Sequence, residues 1–194
     1  MSILSSSVQG YLGNSSWIRR MFEAGGQLKA KYGAENVYDF SLGNPDLPAP
    51  APVAEALHEM ADRAHEPFAF GYMPNGGFPW LREQLAEHLS REQGVRLGAG
   101  DVILSCGAAG GLNAFLRAVL EPGEELIAFA PYFVEYGFYV ANHSGVFKSV
   151  MSEAETFAPD IAALEEAIGP KTRVLLINSP HNPTGAVYSR KQLK

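Results

Sequence analysis

Three short segments of this sequence combine residue types that can grip an anion, a flat ring and a polar oxygen. The first is SCGAAGGLNAF, Ser105 to Phe115. Small residues at Gly107, Ala108, Ala109, Gly110 and Gly111 let the backbone approach a ligand closely, and at a helix start the free amides and the helix dipole favour a phosphate. Taken singly, such a glycine cluster more commonly serves close helix packing. The second is APYFVEY, Ala130 to Tyr136, whose Tyr132, Phe133 and Tyr136 can stack on a planar ligand or fill an ordinary helix face. The third is NSPHNPTG, Asn178 to Gly185. Its two prolines leave Asn182 little freedom, which suits a hydrogen bond aimed at a fixed ligand oxygen, although Asn-Pro and Thr-Gly are also common turn pairs.

Other chemistries fail on spacing. Neither the G-x-G-x-x-G dinucleotide pattern nor the G-x-x-x-x-G-K-S/T phosphate loop is present. One Cys excludes an intramolecular disulfide, and five scattered His show no zinc-site spacing, so no metal site is expected. With no His beside it in the sequence, Cys106 reads as a small buried filler rather than a nucleophile. His181 reads as a turn residue, and Arg82 as a helix-packing residue or half of a surface ion pair. Lys171, Lys191 and Lys194 read as solvated.

Positioning those segments requires strands that end at them. Val102–Ser105, Leu126–Ala130, Val146–Val150 and Val174–Asn178 are short apolar runs suited to buried strands. Between them, Gly110–Leu120, Tyr132–Asn142 and Asp160–Ile168 read as helices, the last capped by Asp160 with Ile161, Leu164 and Ile168 facing inward and Gly169 as its stop. Alternation of strand and helix predicts an α/β fold, a largely parallel sheet flanked by helices, with ligands beyond the carboxyl ends of its strands. Glu121–Glu124, EPGE, has the Pro-Gly order of a type II turn. Upstream, the pattern predicts a helix from about Ser15 to Lys31 interrupted by Gly25 and Gly26, an extended Pro-rich stretch over 39–52, a helix carrying Val53, Leu57, Met60 and Ala61, and another carrying Phe78, Leu81, Leu85 and Leu89. Pro79 stands near the start of that last helix and Gly94 ends it. A further helix is expected to begin near Ser189, and a domain rarely stops within two turns of such a start, so the sequence reads as the N-terminal part of a longer protein.

Composition bounds the setting. A length of 194 residues suits one domain or part of a larger one, and a 46% apolar content excludes disorder. A formal net charge of −6 removes the usual ground for expecting a nucleic-acid partner. No apolar run approaches the roughly 18 residues of a membrane span, and the N-terminus lacks the layout of a signal peptide, which points to no membrane association and a cytoplasmic location.

In order and spacing, the segments resemble the N-terminal half of the class I/II aminotransferases, the pyridoxal-phosphate family with the aspartate-aminotransferase fold, over about residues 37–194. DFSLGNPDLPAP resembles the family's substrate-entrance strand and FGYMPNGGFPWLREQLAEHL its tyrosine-to-Leu-Arg segment. ILSCGAAGGLNAFLRAVLEPGEE resembles its phosphate loop and helix, APYFVEY its aromatic loop, and NSPHNPTG is the most specific match. The resemblance implies an N-terminal arm over 1–36 and, over 37–194, the first part of a domain binding pyridoxal 5′-phosphate. It implies that Ala108 and Ala109 donate backbone amides to the cofactor phosphate, Ala109 where many relatives carry a hydroxyl residue. It also implies that Phe133 stacks on the pyridine, that Asn182 bonds the phenolic oxygen and meets substrate, and that the backbone of Gly43 approaches the substrate carboxylate. Tyr72 would reach the phosphate of a neighbouring subunit, implying a homodimer.

The activity implied is amino-group transfer from an amino acid to a 2-oxo acid, a step of amino-acid metabolism or biosynthesis. A pyridoxal-phosphate-dependent lyase or synthase of the same fold, or a noncatalytic remnant, shares every motif quoted. In the family, the Schiff-base lysine, the aspartate at the pyridine nitrogen and the arginine that clamps the substrate carboxylate lie beyond the Asn-Pro-Thr-Gly turn. No catalytic residue is therefore assigned here, and these residues alone are expected not to transfer an amino group.

Overall fold

The computed structural model describes residues 3–40, 43 and 47–194, with the side chains of residue 7 and of residues 13–19 outside the description. In chain order the elements are α1 (Ser6–Tyr32), α2 (Ala51–Asp62), α3 (Pro79–Gln93), α4 (Gly107–Val119), β1 (Glu125–Ala130), α5 (Glu135–Ala141), β2 (Val146–Met151), α6 (Ile161–Ala167) and β3 (Thr172–Leu176). Single 3-10 turns occupy Ala34–Asn36 and Ala99–Asp101. The chain divides into two compact units, Met1–Gly71 and Tyr72–Lys194.

β1 is apolar from Leu126 to Phe129 because both of its faces are covered and both of its edges are paired. Strand order is β2-β1-β3, all parallel, with Leu126 opposite Phe147 on one side and Val174 on the other. Alternate side chains of β1 serve opposite faces. Leu126 and Ala128 join Leu116 and Leu120 of the α4 segment and Tyr136, Tyr139 and Val140 of α5, whereas Ile127 and Phe129 join Val150 and Leu164 of α6. Leu126 and Ile127 are fully buried, and burying a side chain of this size contributes about 1.5–3 kcal/mol. This is the parallel sheet with helices on both faces that the alternation predicts.

Where the sequence expectation and the structure differ, a missing neighbour explains most of it. Val102–Ser105 does not form a strand. Among the described residues its one backbone link outside its own turn is Leu104 N–H to Gly76 O at 3.1 Å, and a strand without a ladder partner is not one. Arg82 anchors this stretch instead, donating from Nε to Val102 O at 2.7 Å and from Nη2 to Ala99 O, so it serves packing of α3 and makes no ion pair among the described residues. No helix forms after Ser189, where the chain makes only turns. Ile161 and Ile168 are exposed and Leu164 alone of the three faces inward, because α6 covers a single edge of the sheet face.

Several local signals act as read. Asp160 caps α6 by accepting from Ala163 N–H at 2.9 Å. Pro79 opens α3, and Gly94 closes it in the left-handed region at φ 67. Glu121–Glu124 turns with Gly123 at φ 82 and Glu124 N–H to Glu121 O at 3.0 Å, as a type II turn requires.

In the first unit, α1 starts at Ser6, earlier than expected, with Ser5 Oγ accepting from Val8 N–H at 3.3 Å. It passes through Gly25 and Gly26 without a break. Gly25 is where Asp39 packs: a Cβ there would lie 2.7 Å from Asp39 Oδ2, the atom that Lys29 Nζ meets at 2.8 Å. α2 forms as expected but buries none of its residues. Of the extended stretch over 39–52, positions 41, 42 and 44–46 lie outside the described residues.

One carboxylate ties the three strands together near their amino ends. Glu125 Oε2 on β1 lies 2.8 Å from Lys148 Nζ on β2 and accepts from Thr172 Oγ1 on β3 at 3.1 Å, while that hydroxyl accepts Gly169 N–H at 2.9 Å. The Lys148 bond holds the Glu125 carboxyl below its ordinary value of 4.5. A lowered carboxylate value means stability that is present above the ordinary value and is lost as pH falls through the lowered one. Urea midpoints of the protein should therefore drop on acidification past that window, and Glu125→Gln should flatten the acid limb while leaving the midpoint least changed at low pH.

Candidate functional site

Chain direction and element length decide what lies at the carboxyl end of the sheet. α4 and β1 are joined by the tight turn Glu121–Glu124, so α4 runs back along β1. Its 13 residues span about 20 Å at 1.5 Å per residue, matching about 20 Å for the 6 residues of β1. The first turn of α4 consequently lies at the same end as Ala130, where β1 delivers the loop carrying Phe133. β3 is the parallel neighbour of β1, with Leu176 opposite Ala128, so the turn that follows it emerges beside that loop. Three segments far apart in sequence are thereby brought to one place.

They line a single cleft of about 350 Å³. Ala108, Ala109 and Leu112 come from α4, Phe133, Glu135, Tyr136 and Tyr139 from the β1–α5 region, and Asn178 and Asn182 from the turn after β3. The structure therefore gathers five of the residues singled out from the sequence, Ala108, Ala109, Phe133, Tyr136 and Asn182. Tyr72 is fully exposed at the start of its unit and does not line the cleft. Gly43 belongs to the other compact unit and is exposed.

At α4 the backbone is prepared for an anion. Gly107 enters the helix at φ 67 with open space where a Cβ would stand, a conformation glycine adopts without strain. The N-cap is Cys106, which makes no side-chain cap, and the first turn carries no acid. Among the described residues no side chain takes up the first amides, those of Ala108 and Ala109 included, and such amides together with the helix dipole favour negative charge. The glycine cluster divides by role: at Gly111 a Cβ would stand 3.0 Å from Ser105 Oγ, so that glycine is for packing. Cys106 is exposed, contrary to the expectation of a buried filler, because helix entry turns its side chain away from the core.

The ring wall is fixed by other rings. Phe133 meets Tyr136 edge to face at 5.6 Å and 79°, while Tyr132 turns away to meet Phe147 at 4.7 Å and 62°. Phe133 and Tyr132 both pack against the core, and of the two Phe133 lines the cleft. α5 starts at Glu135, later than the expected Tyr132, since Pro131 and its neighbours form the loop itself.

The turn after β3 is closed by its own side chains. Asn178 Oδ1 accepts Asn182 N–H at 2.7 Å, His181 N–H donates to Ala186 O at 2.8 Å, and Ser179 Oγ accepts Tyr188 N–H at 3.0 Å. His181 is buried, with Nδ1 2.8 Å from Thr184 Oγ1 and its ring 5.9 Å from that of Tyr188. It is an anchor of the turn. Burial pushes its imidazole below the ordinary 6.5. The carboxamide of Asn182, a residue of the cleft lining, makes no hydrogen bond among the described residues. The peptide bonds preceding Pro131, Pro180 and Pro183 are cis.

No Lys, Arg or His lines the cleft, and Lys171, Lys191 and Lys194 are exposed as expected. Among the described residues no cluster of His, Cys, Asp and Glu could hold a metal, and no helix is long and apolar enough to cross a membrane. Sequence reasoning passed over Asn178, Glu135 and Tyr139. Their signals were the spacing of four between Asn178 and Asn182, which closes a turn, and of four between Glu135 and Tyr139, which is one helical turn.

A parallel sheet flanked by helices, with a cleft beyond the carboxyl ends of its strands lined by a helix start, a ring and a carboxamide, places the molecule among the α/β folds that carry a cleft at that end. The chain belongs to the family described as aminotransferase class I and II, which it matches over residues 35–194. It is 39% identical over 155 residues to the aspartate/prephenate aminotransferase of Thermus thermophilus, covering 79% of this chain and 39% of that protein. It is 32% identical over 169 residues to the aspartate aminotransferase of Geobacillus stearothermophilus, covering 87% and 42%. Among solved structures, an amino transferase of Eubacterium rectale superposes with a TM-score of 0.89 at 34% identity, covering all of this chain and 49% of that one. The aspartate aminotransferase of Thermus thermophilus with maleate gives 0.77 at 32% identity with the same coverage. The chain thus spans about two fifths of the length of these curated relatives.

Two outcomes follow. Replacing Asn178 by Ala removes the acceptor for Asn182 N–H and should cost about 1 kcal/mol in urea unfolding, with faster amide exchange at Asn182. An NMR titration should place His181 below 6.5, so the part of the turn's stability that depends on its neutral ring is complete above that pH and declines as pH falls through the lowered value.

Proposed function

We propose that this chain provides the cofactor-holding part of a pyridoxal 5′-phosphate-dependent aminotransferase, an enzyme moving an amino group from an amino acid to a 2-oxo acid. The observation that carries the reading is the convergence of Ala108, Ala109, Phe133 and Asn182 on one cleft. Membership of the aminotransferase family supports it, as do relatives whose names specify aspartate or prephenate as the substrate class.

The residues present fit the cofactor. A phosphate needs amide donors, and the α4 entry offers uncapped ones without an acid in its first turn. A pyridine ring needs a flat apolar wall, which Phe133 supplies at the cleft. A phenolic oxygen needs a donor that favours its ionised form, and the Asn182 carboxamide is free to serve. When bound, pyridoxal 5′-phosphate supplies the electron sink and the carrier for the amino group. The chain's own residues bind and orient. Amides of Ala108 and Ala109 hold the anionic tail, Phe133 keeps the ring in plane and excludes water from one face, and Asn182 fixes the ring's rotation.

As part of the same proposal, the backbone of Gly43 meets the substrate carboxylate, and the exposed Tyr72 reaches the phosphate of a second copy in a homodimer. Residues 1–36 form an arm, 37–194 belong to the cofactor-binding domain, and the protein works in the cytoplasm.

Titration of the purified protein should show binding of pyridoxal 5′-phosphate but much weaker binding of unphosphorylated pyridoxal, with inorganic phosphate competing. Phe133→Ala should weaken the phosphorylated ligand by roughly two- to tenfold, the worth of one ring contact. Equal affinity for both ligands would count against the reading. In the full-length protein, amino-acid turnover should require a 2-oxo acid acceptor, whereas turnover without one would point to a lyase of the same fold.

A further inference from the structure

Two tyrosines of the cleft, Tyr136 and Tyr139, are buried in the core, and of the two Tyr139 has its hydroxyl bonded to another residue of the cleft wall. Its ring is 9% exposed and packs with Leu116, Leu126 and Val140. Its hydroxyl donates to Glu135 Oε2, one helical turn back. Glu135 is exposed and is the first residue of α5, two positions after Phe133. Between the two, Tyr136 N–H donates to Phe133 O at 3.1 Å and the Tyr136 ring meets Phe133 edge to face.

We propose that Tyr139 is a positioning residue, whose bond to Glu135 pins the first turn of α5 to the buried core and so steadies the loop directly before it, which carries Phe133. The reason is one of constraint. The loop from Pro131 to Val134 lies outside any strand or helix, so its order depends on what holds its far end. Phe133 is only partly buried, and Val134 is exposed. A side chain held by a hydroxyl on a ring fixed in the core keeps the first turn of α5 from fraying, and the loop that enters that turn is held with it. The tether persists across the neutral range, since burial first and the Glu135 bond second push the Tyr139 hydroxyl up to about 12.

The consequence for ligand binding rests on the cofactor reading above, and the test separates the two. Three variants of the purified protein are compared: Tyr139→Phe, which keeps the buried ring and removes the donor; Glu135→Ala, which removes the acceptor; and Glu135→Gln, which keeps an acceptor and removes the charge. Backbone amide exchange over residues 132–136 is measured without ligand, and affinity for pyridoxal 5′-phosphate by titration. Tyr139→Phe and Glu135→Ala should each speed exchange over that segment and weaken binding by roughly three- to tenfold, the double variant should be no worse than either, and Glu135→Gln should stay near the starting protein. Unchanged exchange in both Tyr139→Phe and Glu135→Ala would overturn the proposal, as would a Glu135→Gln protein as impaired as Glu135→Ala, since charge and not the bond would then matter. Faster exchange in both single variants, with no binding of pyridoxal 5′-phosphate by the unaltered protein, would uphold the tether and reject the cofactor reading.

Discussion

Everything at the cleft depends on β1 being buried on both faces and paired on both edges. A strand in that position has no freedom of register, because a shift by one residue would exchange Leu126 and Ala128 with Ile127 and Phe129 between two differently shaped cores. Once β1 is fixed, α4 is fixed by the turn at Glu121–Glu124 and by Leu116 and Leu120. The amides at its start are then placed relative to Ala130 by chain length alone. β3 adds the third member because its register with β1 is set by the same pairing.

The polar groups are distributed to match. The charged interactions that hold the sheet, Glu125 with Lys148 and Thr172, lie near the amino ends of the strands. At the carboxyl end the cleft is lined by a helix start, rings and carboxamides, and the one charge on its wall, Glu135, is engaged by Tyr139. An anion entering this cleft therefore meets oriented dipoles rather than a mobile cation, an arrangement that costs little reorganisation on binding. The turn after β3 shows the same economy. Asn178, Ser179 and Thr184 each spend a side-chain oxygen on the backbone or on His181, leaving the Asn182 carboxamide unengaged.

Local signals were legible wherever the physics is local. Gly94 and Gly123 end or turn the chain because a positive φ strains other residues, Asp160 caps because an orphan amide needs an acceptor, and the apolar runs at 126–130 and 146–150 become strands because both lie beside partners. Val102–Ser105 has the same apolar character and does not become one, since strand formation is a property of a pair. Exposure was misread for a related reason. Ile161 and Ile168 have the types of core residues, but α6 meets the sheet along a narrow stripe centred on Leu164, and Cys106 faces outward because helix entry at Gly107 fixes its direction.

Residue types within a few positions of one another were enough to specify the alternation of strands and helices, the caps and turns, and the three segments that come to line the cleft. Packing between distant residues is what makes the three segments share one cleft, makes Phe133 and not Tyr132 line it, and sets Glu135 and Tyr139 together on its wall. Those outcomes depend on strand order and on which face of each helix meets the sheet. Both are set by contacts between residues tens of positions apart, which no local pattern records.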